Sequence, residues 1–169
     1  VSASNKVMNT IVYPIIDLLR PIPPIAWIPF AIIVFGLTPA SYSFIIFIGA
    51  FFPIFINTYD GVKRSPKLYK DIALSLGASK SQLVWDVLLP NITPNIFTGI
   101  KSSVGVGWMC VIAAELMGIS DGGIGYFINA MKNYGVYSYM IAGMIMIAII
   151  GLLLNTVFNQ FEKRVLRWL

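Results

Sequence analysis

Between Arg20 and Asp60 the chain runs for 39 residues without a charged side chain. As a single α-helix that stretch would extend about 58 Å, close to twice the roughly 30 Å of a bilayer's hydrocarbon core. It therefore has to turn back once. Gly36-Leu37-Thr38-Pro39 supplies the break, because glycine frees the backbone and Pro39 cannot continue a helix. Two membrane spans follow from this, near 22–37 and near 40–57. A third is expected near 96–117, and a fourth near 137–158, inside the uncharged stretch Asn133–Phe161. The fold class is all-α, a polytopic transmembrane helical bundle.

Composition supports lipid as the solvent. Hydrophobic residues make up 57% of the chain and charged residues 11%, where a soluble domain carries about 25% charged residues. The net charge of +5 does not signal nucleic acid, since the bases sit between and after apolar runs rather than on one face of a soluble domain. Lys6 and Arg20 precede the first span, Lys63, Arg64, Lys67, Lys70 and Lys80 lie between the second and third, and Lys163, Arg164 and Arg167 follow the fourth. In an alternating chain all of these fall on one side. The segment 118–136 on the other side has Lys132 as its one base. The basic side is read as cytoplasmic.

No chemistry of catalysis is legible. There is no histidine, one cysteine (Cys110), and seven scattered carboxylates, which supports no metal site, no nucleophile–base pair and no disulfide within the chain. Gly122-Gly123-Ile124-Gly125 lacks the spacing of a phosphate-cradling loop. It is expected in an outer loop, 118–136, that forms a short surface or re-entrant helix.

The informative segment is the basic loop 60–91. Ser65-Pro66 reads as an N-cap with proline at the first helical position, and a helix over 67–76 would end at Gly77. Ser79-Lys80-Ser81-Gln82 reads as a capping box. A second helix carrying Leu83, Val84, Trp85, Val87 and Leu88 is expected to stop before Pro90. Physical chemistry leaves two fates open for this hairpin: resting on lipid headgroups with Trp85 as an anchor, or docking a protein.

Asp71-Ile72-Ala73, three residues, Gly77, nine residues, then Val87-Leu88-Leu89-Pro90 resembles the EAA loop of permease subunits of ABC importers, whose pattern is Glu-Ala-Ala, three residues, Gly, nine residues and Ile-x-Leu-Pro. Arg20-Pro21-Ile22-Pro23-Pro24, Phe51-Phe52-Pro53-Ile54, Ala113-Ala114-Glu115 and Gly123-Ile124-Gly125-Tyr126 are similar to the nitrate/sulfonate/taurine branch of that family. The resemblance implies a membrane of a prokaryotic cell and about six spans, of which these would be the C-terminal four, with one or two N-terminal spans missing. It implies that Asp71, Ala73, Gly77, Ala78, Val87, Leu89 and Pro90 form a coupling site for a separate ATPase subunit, which alone would hold ATP and Mg. Further implied partners are a second permease copy, as a homodimer, and an external solute-binding protein facing the outer loop. The implied cargo is a small solute such as nitrate, a sulfonate or taurine, with vitamin precursors as alternatives. An ATP-independent channel or secondary carrier is the rival reading.

Six further residues are candidates for helix packing or a pathway. Pro29 lies in a proline-rich entry to the first span. Gly99, Ser103 and Gly107 recur every four residues and would let another helix pack closely. Asn155 belongs to a similar stripe with Gly151 and Asn159. Glu115 is expected either to sit at the interface in water, or to gate the outer mouth or pair with a base. Lys101 is expected to snorkel to the headgroups.

Overall fold

The computed structural model describes residues 8–165. Lys6 and Arg167, two of the bases used above for orientation, lie outside the described residues. All regular structure among the described residues is helical. A π-type turn, Met8–Val12, leads into α1 (Tyr13–Leu19), and a 3₁₀ turn, Pro24–Trp27, into α2 (Ile28–Phe35). Then come α3 (Pro39–Arg64), α4 (Lys67–Ser75), the single turn α5 (Lys80–Gln82), a π segment (Leu83–Leu88), α6 (Leu89–Leu116), α7 (Ile124–Asn133) and α8 (Tyr137–Val165).

Among the described residues three helices are long and apolar enough to cross a membrane: Pro39–Arg64, Lys80–Leu116 and Tyr137–Val165. A fourth crossing arises only if Thr10–Leu19 and Pro24–Phe35 count together as one broken span. The segment expected to cross at 22–37 is thus too short alone. Its 3₁₀ turn and α2 have four and eight residues, about 20 Å of helix. Pro21, Pro23 and Pro24 block a helix on one side, and Gly36, at φ +72°, ends it on the other.

Lys80–Leu116 corrects the expectation of a stop before Pro90. The chain passes Pro90 because the π segment ahead of it changes the hydrogen-bond register. The Leu89 N–H bonds the Val84 carbonyl, five residues back, so the N–H that Pro90 lacks is lost at a turn already loosened.

The chain divides into two compact units, one made of the chain to Pro21 with Phe52–Ile100, the other of Ile22–Phe51 with the chain from Lys101 onward. In the first, α3 and α6 approach backbone to backbone. A Cβ on buried Gly99 would lie 3.1 Å from the Pro53 carbonyl oxygen and the Ile54 Cα, and one on Gly61 would lie 2.8 Å from the Asn95 Cβ. Glycine at these points sets the interhelical distance. Tyr13 stacks on Tyr59 with centroids 4.3 Å apart, and Lys63 Nζ stands 5.8 Å from the Tyr13 ring.

The second unit packs around Ile28, Ala31, Ile45, Cys110, Ala114 and Ile119. A Cβ on Gly49 would lie 2.6 Å from the Cys110 sulfur. The fully buried Ser41 hydroxyl faces the carbonyls of Ala31, at 3.2 Å, and Gly36, tying the start of α3 to the end of α2. α7 packs on α8, where a Cβ on Gly143 would meet Ile128 at 2.6 Å. α8 has a mean hydropathy of 2.4 in its most apolar window, yet only 6% of that window is buried. Such a surface persists against lipid or another protein and would collapse in water.

Candidate functional site

The hairpin 67–88 is built by local hydrogen bonds at its tip. α4 ends in a Schellman motif: the Gly77 N–H bonds the Leu74 carbonyl and the Ala78 N–H bonds the Ala73 carbonyl, each at 3.0 Å. Gly77 sits at φ +80°, and nothing lies within 4 Å of where its Cβ would be. Its requirement inside this chain is therefore conformational, with open space left over. Two residues on, the capping box forms as expected. The Gln82 N–H donates to Ser79 Oγ at 3.3 Å, and the Ser79 N–H to Gln82 Oε1 at 2.9 Å.

α4 packs against the π segment, burying Ala73 and Leu88. The rest of the apolar surface points away. Leu68, Tyr69, Ile72 and Leu74 are exposed, Leu76 is 81% exposed and Trp85 65%. Asp71 and Gly77 are also exposed, while Ala78, Val87, Leu89 and Pro90 are half-buried. The hairpin thus closes its own polar groups and leaves an apolar crown uncovered.

At its base the structure departs from the sequence reading. Ser65 does not cap α4. Pro66 occupies the N-cap position with no side-chain bond, and Ser65, 7% exposed, accepts a hydrogen bond from Asn91 Nδ2 at 2.7 Å.

The other candidates scatter. Pro29 is exposed in the first turn of α2, where a missing N–H costs nothing. Gly99, Ser103 and Gly107 are buried, with Gly107 reaching Ile46 at 3.9 Å from a Cβ position. Asn155 is exposed on a groove of about 210 Å³ with Lys101, Trp108, Gly151 and Phe158. Lys101, expected to snorkel to the headgroups, has its Nζ 3.7 Å from Glu162 Oε2.

Glu115 is out of water, and no base among the described residues pairs with it. It is 8% exposed, and its Oε2 accepts the Gly125 N–H at 2.8 Å, placing a carboxylate on the first turn of α7. A helix N-terminus presents free N–H groups and a partial positive charge, so this is a favourable anion position. A Cβ on Gly123, at φ +114°, would fall 2.2 Å from that carboxylate.

Over residues 1–169 the sequence matches the model of a family described as the binding-protein-dependent transport system inner membrane component. The chain belongs to this family. The chain is 42% identical over 163 residues to a Methanocaldococcus jannaschii protein provisionally named an ABC transporter permease, covering 96% of this chain and 61% of that one. It is 37% identical to the bicarbonate transport system permease protein CmpB of Synechococcus elongatus (96% of this chain, 59% of the relative). It is 38% identical to the nitrate import permease protein NrtB of a Synechocystis strain (96% and 58%). Other relatives are named for taurine and aliphatic sulfonate transport. The chain spans about three-fifths of the length of these relatives, 61% of the first.

Two side-chain contacts of the chain were not legible in its sequence. The Ser65–Asn91 bond joins positions 26 residues apart, and no local pattern announces it. The Glu115 contact had a signal in Gly123 and Gly125, which clear room for a side chain from elsewhere, whereas Gly122 faces open space.

Proposed function

We propose that this chain is part of the membrane-spanning portion of a permease subunit of an ATP-driven importer, and that the hairpin 67–88 seats in a separate ATPase subunit on the cytoplasmic side. The observation that carries this reading is the apolar crown of Ile72, Leu74, Leu76 and Trp85 around a left-handed Gly77 with empty space beside it. A loop that only needed to turn would have no use for that much uncovered apolar surface. Coupling loops of this kind transmit closure of the ATPase dimer to the spans, and solute crosses by alternating access between two permease copies. An external binding protein delivers the solute. The relatives named for bicarbonate, nitrate, taurine and sulfonate transport support a small oxyanion or sulfonate as cargo.

The test uses the full-length permease co-expressed with its ATPase subunit and binding protein. Gly77→Asp is expected to leave insertion intact, because its surroundings are open and aspartate is among the residues that visit the left-handed region, and to separate ATP hydrolysis from transport. Transport at the wild-type rate by that variant rejects the docking assignment. In proteoliposomes, stimulation of ATP hydrolysis by nitrate, bicarbonate, taurine or an alkanesulfonate identifies the cargo, and stimulation by an uncharged solute alone rejects the anion assignment.

A further inference from the structure

The hairpin meets the spans at two joints, and both are weak as backbone. On the α3 side the helix ends at Arg64, and Pro66, at ψ 129°, is extended and has no N–H. On the α6 side the π segment and Pro90 interrupt regular hydrogen bonding. A push on the crown would be lost as bending at these joints unless something bridges them. The Ser65–Asn91 hydrogen bond does so. Ser65 is the residue between α3 and Pro66, Asn91 is the third residue of α6, and their side chains meet at 2.7 Å with Ser65 buried.

The contacts beyond the bond leave little slack. Gly61 faces Asn95 and Gly99 faces Pro53 and Ile54, with Cβ positions 2.8 and 3.1 Å from their neighbours. Hairpin, bond and both glycine contacts belong to one compact unit.

We propose that Ser65 and Asn91 are positioning residues for energy coupling, a clasp that makes the hairpin and the adjoining ends of α3 and α6 move as one lever. This rests on the reading of the hairpin as the ATPase-docking element. A purely structural bond would, when lost, lower the amount of assembled transporter, reducing ATP hydrolysis and transport together. A clasp that transmits movement would, when lost, lower transport per ATP hydrolysed while the ATPase stays bound.

The experiment compares wild type, Ser65→Ala, Asn91→Ala and the swap Ser65→Asn with Asn91→Ser, each as full-length permease with its ATPase and binding protein in proteoliposomes. Co-purified ATPase, ATP hydrolysis and transport are measured on the same samples. The single variants are expected to keep the ATPase and to lose transport per ATP by roughly tenfold, the scale of one buried polar group left without its partner. The swap, which restores an amide–hydroxyl pair, is expected to recover most of that ratio. If Asn91→Ala fails to insert, Ser65→Ala, which removes one oxygen atom, decides alone. An unchanged ratio with ATPase bound overturns the clasp and leaves the docking reading standing. A ratio that falls in the singles and stays equally low in the swap also overturns it. Absence of ATPase from the wild-type preparation overturns both.

Discussion

The tip of the hairpin and the turn that opens α7 use the same residue for opposite ends. At the tip, Gly77 adopts φ +80° with nothing within 4 Å of its Cβ position, and Leu76 beside it is almost fully exposed. At the α7 turn, Gly123 also has positive φ, but Glu115 fills the space a side chain would take, and a Cβ on Gly125 would lie 2.7 Å from Glu115 Cβ and from the Ile112 carbonyl oxygen. One glycine turn is complete within the chain; the other is open and apolar. A left-handed glycine alone therefore says only that the chain turns. What surrounds its missing Cβ distinguishes a closed joint from a face awaiting a partner.

The sharpest way to break this comparison is to add a methyl at the closed turn. Gly125→Ala is expected to cost about 3 kcal/mol, because a backbone carbonyl at 2.7 Å cannot move aside cheaply, and thermal unfolding of the purified permease reads it directly. A cost below about 1 kcal/mol would show the turn to be looser than its geometry. Next in size is Glu115. Glu115→Ala is expected to cost about 2 kcal/mol, removing the acceptor for the Gly125 N–H and the anion on the helix terminus. Glu115→Gln keeps an acceptor and should cost roughly half that. Faster hydrogen exchange in the first turn of α7, with α8 unaffected, would locate the loss. The smallest effect belongs to the open turn. Gly77→Asn should change stability by only a few tenths of a kcal/mol, since asparagine tolerates the left-handed region and meets nothing there. ATPase association by that variant then reports how close a partner approaches.

What the sequence disclosed and what it hid divide by range. Gly77 and the Ser79–Gln82 box were legible because helix caps are set by residues three or four apart. The long apolar helices were legible from charge-free length. Ser65 is not legible in the same way, because a serine before a proline offers a local capping role while its actual partner is 26 residues away. Lys101 and Glu162 found each other across a still longer gap. Lipid removes the usual remedy: a span is apolar on all sides, so hydropathy does not tell which face packs. Small residues such as Gly99 marked a close contact without naming the neighbour. Pro90 misled for a different reason, because its usual effect as a helix breaker was absorbed one turn earlier.

That absorption has a geometric consequence. A π segment holds one more residue in its widened turn than an α-helix does, and each α-helical residue advances the chain by about 100°. Removing one residue between Leu83 and Leu88 would restore a regular ladder into α6, and would turn the adjoining arm of the hairpin by about that angle around the helix axis, while α3 stays packed on α6. Trp85 and the Leu74–Leu76 edge would then look in a different direction, with every helix cap still intact. The widened turn is a dial that sets the compass bearing of the hairpin.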